Sequence, residues 1–224
     1  PFKRGTGVSN KFIEVFGKSR NKNDEISQRF KDIAATIQFF TEETLIHGLK
    51  ALELKNNSDN LCLAGGVALN CVANGKIFER TKFKNINIQP ASGDNGTALG
   101  SALYRYYHNK TYNGKNDRIP NSVYLGTHFS NQEIKNALLQ KDLKFTYYED
   151  ASPETAKLLN SGNIIAWFNG KMEFGPRALG NRSILTAPFP GEMKDILNDR
   201  VKKRESFRPF APSVMEEYAD DFFE

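Results

Sequence analysis

NLCLAGGVALNCVANGKIFERTKFKNINIQPASGDNG, residues Asn60–Gly96, carries the pattern from which we predict the fold class of this chain. A short apolar strand, Asn60–Ala64, leads through a glycine turn into a helix pattern over Leu69–Glu79. A second strand, Ile86–Gln89, leads through another glycine turn into a helix pattern over Ala98–Tyr107. Alternating strands and helices indicate an α/β layer whose ligand-binding loops lie where the strands end.

The two glycine turns, Gly65-Gly66 and Gly93–Gly96, should therefore lie at the same edge of the sheet. Backbone N–H groups in such turns, together with helix N-termini, can bind phosphate groups. Two polar residues beside the turns have a simpler alternative role. Asp94 precedes a helix and could be only its N-cap, and Asn70 could be only a polar residue of the first helical turn.

A second segment, Gly170–Ser183 (GKMEFGPRALGNRS), combines basic residues with three glycines and a proline. It follows Asn163–Phe168 (NIIAWF), which we predict to be a buried strand, and Arg204–Phe210 (RESFRPF) adds two arginines between aromatic residues. Arginine presents a planar set of donors that suits carboxylate, phosphate or carbamoyl oxygens. The alternative is a solvated basic loop, since the segment has no phosphate-loop consensus.

Composition restricts the function classes. The chain has 224 residues and a net charge of +5, from 31 basic and 26 acidic residues, without a run of five like charges. This disfavours a nucleic-acid arm or a polybasic membrane tail. No apolar run approaches the roughly 20 residues that span a bilayer. We expect Cys62 and Cys71 to be buried thiols in a soluble, cytoplasmic protein. A chain that begins with Pro1 is expected to be a piece of a longer protein.

The rest of the chain predicts two domains. Apolar residues recur every three or four positions from Asp24 to about Leu54, which indicates one long helix or two. His108–Asn121 lacks periodicity and is rich in turn formers, so we place a domain boundary near Asn116, giving domains 1–116 and 117–224. In the second domain we predict further strands at Val123–Leu125, Phe145–Tyr148, Ser183–Thr186 and Phe210–Val214. Helices are predicted at Asn131–Leu139 after the cap Ser130, from Ser152-Pro153 to near Gly162, at Glu192–Val201 and from Glu216.

Four motifs together resemble the NodU/CmcH carbamoyltransferase family, in an order and spacing that match over nearly the whole chain. They are Leu61–Gly75 (LCLAGGVALNCVANG), Pro90–Gly100 (PASGDNGTALG), Gly170–Leu185 (GKMEFGPRALGNRSIL) and Arg204–Val214 (RESFRPFAPSV). The resemblance implies the C-terminal part of an actin-like ATPase (ASKHA) domain followed by a YrdC-like α/β domain, itself expected to be truncated. It also implies ATP-dependent transfer of a carbamoyl group from carbamoyl phosphate, through a carbamoyl-adenylate, to a hydroxyl of a sugar or natural product.

The same resemblance assigns roles to single residues. Gly65, Gly66 and Asn70 match the family's GGVALN segment, which lies against the nucleotide. Gly93 and Asp94 match the family's GDNG turn. The basic positions at which carbamoyl phosphate is expected to bind, and which we predict to be catalytic, are Lys171, Arg177, Arg182, Arg204 and Arg208. No cysteine or serine nucleophile is required.

The resemblance further implies a divalent metal, iron or a similar ion, with Asp94 as one ligand. Two histidines of an HxxxH motif would complete that site, but His47, His108 and His128 are too far apart in the sequence to form it. We therefore expect an incomplete metal site and at most a partial reaction from the isolated chain.

Two alternatives stay open. One is a non-catalytic nucleotide- or anion-binding module that has lost the metal site. The other, an RNA-modifying relative, is weaker because the sequence shows no basic helix or aromatic stacking platform. We accordingly expect neither nucleic acid nor a membrane among the partners.

Overall fold

The computed structural model describes residues 8–21, 24–108 and 122–223 and shows a mixture of helices and small sheets, in agreement with the predicted α/β class. The chain divides into two compact units, Pro1–Ser101 and Ala102–Glu224. The boundary that we predicted near Asn116 lies outside the described residues.

The first unit contains α1 (Asn10–Phe16), α2 (Gln28–Lys55), β1 (Asn60–Leu63), a 3₁₀ turn (Gly66–Leu69), α3 (Cys71–Arg80) and β2 (Asn85–Ile88). A further helix, α4 (Gly96–Tyr107), runs across the division between the units. The predicted long helix is confirmed as the single helix α2, and both predicted strands and the helices that follow them are present. Strands β1 and β2 pair in parallel, with Asn60 opposite Asn85 and Leu63 opposite Ile88.

The core of the first unit forms where α2 and α3 pack beside this strand pair. Its buried cluster is Ile46, Leu49, Leu61, Ile77 and Phe83. Side chains alternate across a strand, so that Leu61 faces the core while the next residue, Cys62, is exposed. Cys71, at the first position of α3, is exposed as well. The prediction of two buried thiols is therefore wrong.

The second unit contains α5 (Asn131–Gln140), α6 (Ser152–Asn160), β3 (Ile165–Phe168), β4 (Arg182–Leu185), α7 (Met193–Ile196) with a π-helical continuation (Leu197–Lys202), a 3₁₀ turn (Glu216–Tyr218) and α8 (Ala219–Phe222). Ser130 caps α5 as predicted, in a capping box with Glu133. Strands β3 and β4 pair antiparallel. The buried apolar residues described in this unit are Ala187, Met193 and Leu197.

Four predictions for the second unit are corrected. The strand before the basic loop is half-buried rather than buried, and Phe168 is 51% exposed. Val123–Leu125 is not a strand, because Leu125 N–H closes a tight turn onto Val123 C=O. Phe145–Tyr148 is irregular and has no ladder to a neighbour within the described residues. Phe210–Val214 is irregular too, and its Pro212 has no N–H for a ladder.

Over the residues that the structure describes, none of the helices combines the length and apolar character that crossing a bilayer demands.

Candidate functional site

The two glycine turns of the first unit lie side by side, as predicted. Because β1 and β2 are parallel, their carboxyl ends share one edge, and the Gly65 N–H donates a 2.7 Å hydrogen bond to the Ser92 C=O. Gly65 has a φ of 101°, a region that favours glycine. The first turn is therefore fixed in shape and tied to the second.

The surface of these turns is open to a ligand. Apart from the adjacent backbone, no atom of the described residues lies within 4 Å of the position that a Cβ would occupy at Gly65 or at Gly66, and both residues are exposed. In the second turn, a Cβ on Gly93 would lie 3.6 Å from the Asn95 Oδ1. A Cβ on Gly96 would lie 2.0 Å from the Ala91 C=O oxygen, so this glycine is required by packing alone. The backbone at Gly65-Gly66 could thus accept a close-lying phosphate group.

Asn70 already has a structural role. Its Oδ1 accepts the Ala73 N–H at 3.1 Å and so caps α3, and its amide exchanges two hydrogen bonds with Gln38, at 2.9 and 3.3 Å. Gln38 also donates to the buried carboxylate of Glu42, which pairs with Lys76. Hydrogen bonds from Lys76 and Gln38 hold the pKa of Glu42 below its ordinary value. The sequence did not reveal that this network fixes the Asn70 amide.

Asp94 lies in the second turn with its side chain exposed. Its backbone C=O accepts from Thr97, but its carboxylate contacts no other group in the described part of the chain. The carboxylate therefore does not act as a helix cap. Within residues 8–21, 24–108 and 122–223, no three His, Cys, Asp or Glu side chains are grouped so that they could hold a metal ion. One exposed carboxylate does not fit a metal site by itself.

The basic loop Gly170–Ser183 of the second unit is organised by Glu173, whose side chain is fully buried. Its Oε1 accepts the backbone N–H groups of Leu179, Asn181 and Arg182, at 2.6, 2.8 and 3.3 Å. Its Oε2 accepts the Arg182 Nε at 2.9 Å, and the Arg182 Nη2 donates to the Glu173 C=O at 2.7 Å. The loop thus folds around an internal carboxylate.

The pKa of Glu173 reflects two opposing causes. Burial of the carboxylate alone would raise its pKa. The hydrogen bonds from Arg182 and from the backbone N–H groups of Leu179 and Asn181 act in the other direction and lower it to about 2. The carboxylate is accordingly charged at neutral pH. This role could not be predicted from the sequence, because a single glutamate in an irregular loop has no distinguishing pattern.

The side chains of Lys171 and Arg177, unlike that of Arg182, are not bound to other protein groups in the described part of the chain. Both side chains are exposed and have no ion pair or hydrogen bond to any residue that the structure describes. The backbone N–H groups of Gly175, Arg177 and Ala178 also have no partner there. The loop therefore presents to solvent two cationic side chains, one near its start and one near its middle, and three backbone donors, all of which are groups that can bind an anion.

The second basic segment is organised in a comparable way by Asn198, which has no exposed surface. Its Nδ2 donates to the C=O groups of Ser206 and Arg208 at 3.2 and 2.8 Å, and its Oδ1 accepts the Arg204 Nε at 2.7 Å. The Arg204 guanidinium also lies 4.9 Å from the ring centre of Phe210.

Arg208 in this segment forms an exposed ion pair with Glu205 at 2.9 Å. Both arginines predicted in the segment are thus engaged within the protein. The side chains of three of the five predicted basic residues contact protein groups, while those of Lys171 and Arg177 have no such contact within the described residues.

Comparison with known proteins matches this chain to two family models. Residues 1–103 match the carbamoyltransferase N-terminus and residues 156–224 match the carbamoyltransferase C-terminus. Among individual relatives, an uncharacterized protein of Synechocystis sp. is 45% identical over 98% of this chain and 37% of its own length. Nodulation protein NolO of Bradyrhizobium diazoefficiens is 41% identical over 92% of this chain and 38% of its own length.

Nodulation protein U of the same organism is 31% identical over 88% of this chain and 33% of its own length. The chain thus spans about a third of the length of these relatives. Both family models match in their proper order and together include most of the chain. The chain belongs to the carbamoyltransferase family.

Proposed function

We propose that this chain forms parts of the ATP-binding and carbamoyl phosphate-binding surfaces of an ATP-dependent O-carbamoyltransferase. In this proposal water releases phosphate from carbamoyl phosphate, and the resulting carbamate displaces pyrophosphate from ATP to give a carbamoyl-adenylate. A hydroxyl of a sugar or natural product then accepts the carbamoyl group and AMP is released. The first unit would belong to an actin-like ATPase domain and the second to a YrdC-like domain. Membership of the carbamoyltransferase family supports the type of group transferred.

The two exposed cations of the basic loop are the observation that carries the proposal. Carbamoyl phosphate is a small anion, and Lys171 and Arg177 are exposed cations without protein partners in the described part of the chain. Negative charge develops on the phosphate and on the carbamoyl oxygen as the bond between them breaks. Cationic side chains that contact such charge stabilise it.

The glycine turns of the first unit support the nucleotide part of the proposal. ATP would supply the adenylyl group that activates the carbamoyl group. The chain's own contribution would be the exposed backbone at Gly65-Gly66, the turn containing Gly93, and Asn70, whose amide Gln38 holds in one orientation. Asp94 stays a predicted metal ligand. Since the described residues do not furnish a complete donor set, we derive no step through a metal ion.

Replacement of Arg177 by alanine tests the donor site. Calorimetric titration with carbamoyl phosphate should show binding weaker by about 1.5–3 kcal/mol, the range for a hydrogen bond to a charged group. The matched control is Arg200→Ala, which removes an exposed arginine from the same unit and should change the affinity little. Equal affinities for Arg177→Ala and the unaltered chain would contradict the assignment.

Replacement of Gly66 by alanine tests the nucleotide site. The added methyl group would meet no protein atom within 4 Å, so thermal stability should stay nearly unchanged. It would occupy the space in which a phosphate should lie, and affinity for ATP should fall by about tenfold, as for one lost hydrogen bond to a charged group.

Gly75→Ala, in α3, is the control for this substitution, since its Cβ also meets no atom within 4 Å. Unchanged ATP affinity in Gly66→Ala would remove the turn from the site. If a protein containing this chain binds both ligands without transferring a carbamoyl group, a non-catalytic binding module would be the better description.

A further inference from the structure

The five basic residues that we predicted to bind carbamoyl phosphate fall into two groups according to their contacts. Arg182 binds Glu173, Arg204 binds Asn198, and Arg208 pairs with Glu205. Lys171 and Arg177 have no such partner in the described part of the chain. The residues that hold the protein together can therefore be separated from those that are available to a ligand.

Glu173 connects the two sides of the loop that bears the free cations. Its carboxylate accepts hydrogen bonds from three backbone N–H groups of the segment Leu179–Arg182. In the same segment, the Asn181 Nδ2 donates to the Lys171 C=O at 2.6 Å, and the Asn181 C=O accepts the Asn169 N–H at 2.9 Å. Glu173, directly and through Asn181, thus joins the two sides of the loop around Arg177. The chain from Met172 to Phe174 is held in addition by backbone hydrogen bonds with Val123, Gly126 and Thr127.

The negative charge of Glu173 allows a geometric role of this residue to be distinguished from an electrostatic one. A carboxylate close to an anion-binding surface repels the anion, so its charge alone would weaken binding. Arg182 lies against this carboxylate and compensates part of its charge. The benefit of Glu173 to an anion site must therefore be geometric, since its electrostatic effect has the wrong sign.

We propose that Glu173 is a positioning residue that, together with Arg182, fixes the basic loop so that Lys171 and Arg177 receive the anion. This inference rests on the proposed carbamoyl phosphate site, and it gives the basic residues of that site two different roles. Arg182 acts on the loop and not on the ligand. Lys171 and Arg177 are the contacts to the phosphate group.

Glu173→Gln separates a geometric role from an electrostatic one by the sign of its effect. Glutamine has nearly the same shape but only one acceptor oxygen, so either Arg182 or the backbone N–H groups lose their acceptor. With inorganic phosphate as the probe in calorimetry, the geometric role predicts affinity weaker by about tenfold, the loss for one misplaced charged contact. A purely electrostatic effect predicts tighter binding, because a negative charge is removed.

Amide hydrogen exchange of Leu179, Asn181 and Arg182 gives a readout that does not depend on phosphate. These amides should exchange slowly in the unaltered chain and at least tenfold faster in Glu173→Gln, since their acceptor is weakened. Arg182→Lys provides a second variant if Glu173→Gln does not fold. It keeps the charge but cannot reproduce the two contacts of Nε and Nη2, so phosphate affinity should again fall. Glu192→Gln, which removes an exposed negative charge from the same unit, is the charge-matched control and should change neither readout.

The outcomes distinguish this inference from the proposed function. Unchanged or tighter phosphate binding in Glu173→Gln would overturn the positioning role, as would fast exchange of the three amides in the unaltered chain. If the unaltered chain binds no phosphate, the proposed donor site and the roles of Lys171 and Arg177 fail. In that case, amide protection that is lost in Glu173→Gln would still establish that Glu173 fixes the loop.

Discussion

Replacing Arg182 by alanine is expected to lower the free energy of unfolding of the second unit by about 3 kcal/mol. This is the lower end of the cost of removing one partner of a buried ion pair, because Glu173 is fully buried while Arg182 is 32% exposed. Glu173 would keep its buried charge without the guanidinium that compensates it. The Glu173 C=O would also lose the hydrogen bond from the Arg182 Nη2. Urea or guanidinium denaturation, with comparison of the midpoints and slopes, measures the effect.

Arg208→Ala is the matched control for this experiment. Its ion pair with Glu205 has a similar N–O distance of 2.9 Å, but both side chains are more than one-third exposed. Exposed pairs contribute about 0–1 kcal/mol. If Arg182→Ala and Arg208→Ala shifted the denaturation midpoint by the same small amount, the Glu173 carboxylate would not be the organising group that its contacts indicate.

The stability of the second unit should fall in acid for the same reason. The pKa of Glu173 is about 2 in the folded state, below its ordinary value of 4.5. The folded protein therefore binds this proton less tightly than the unfolded chain does. The contribution of the carboxylate is fully present above about pH 4.5 and is lost as the pH falls through 2. The linkage relation gives about 3 kcal/mol for a shift of this size.

The difference between the unaltered chain and Glu173→Gln isolates this contribution. Other carboxyl groups titrate in both proteins and cancel in the difference between the two curves of unfolding free energy against pH. We expect the curves to converge by about 3 kcal/mol between pH 5 and pH 2. Curves that stay parallel over this interval would show that the environment of Glu173 does not lower its pKa.

Local sequence signals predicted those elements whose formation depends on local contacts or on burial of one face. The apolar period of α2 and the capping residue Ser130 of α5 indicated the correct helices. The apolar runs that end in glycine indicated β1 and β2, and their parallel pairing brought the two glycine turns together. In each case the interaction that fixes the element acts within a few residues or follows from its apolar pattern.

The predictions that were wrong concern features that local contacts do not determine. Phe145–Tyr148 has the composition of a strand, but a strand also requires a partner, and short apolar runs do not specify one. The exposure of Cys62 followed from which face of β1 packs on α2 and α3, which the composition of four residues does not determine. Each of these features depends on tertiary contacts.

The candidate site shows the same division. The sequence identified the glycines and the five basic residues but did not rank them. The ranking depends on Glu173 and Asn198, which contact groups six to ten residues away in irregular segments. No repeating pattern marks such contacts, so the difference between Arg177 and Arg182 became visible only in the structure.

The unequal apolar cores of the two units have a thermal consequence. The buried cluster Ile46, Leu49, Leu61, Ile77 and Phe83 belongs to the first unit, whereas the second is described with few buried apolar side chains and with buried polar groups at Glu173 and Asn198. Hydrophobic stabilisation carries a large heat-capacity change and weakens on cooling. Ionic and hydrogen-bonded contacts do not share this dependence. The basic loop should therefore keep its shape in the cold, where the sheet edge that carries the glycine turns loses part of its support.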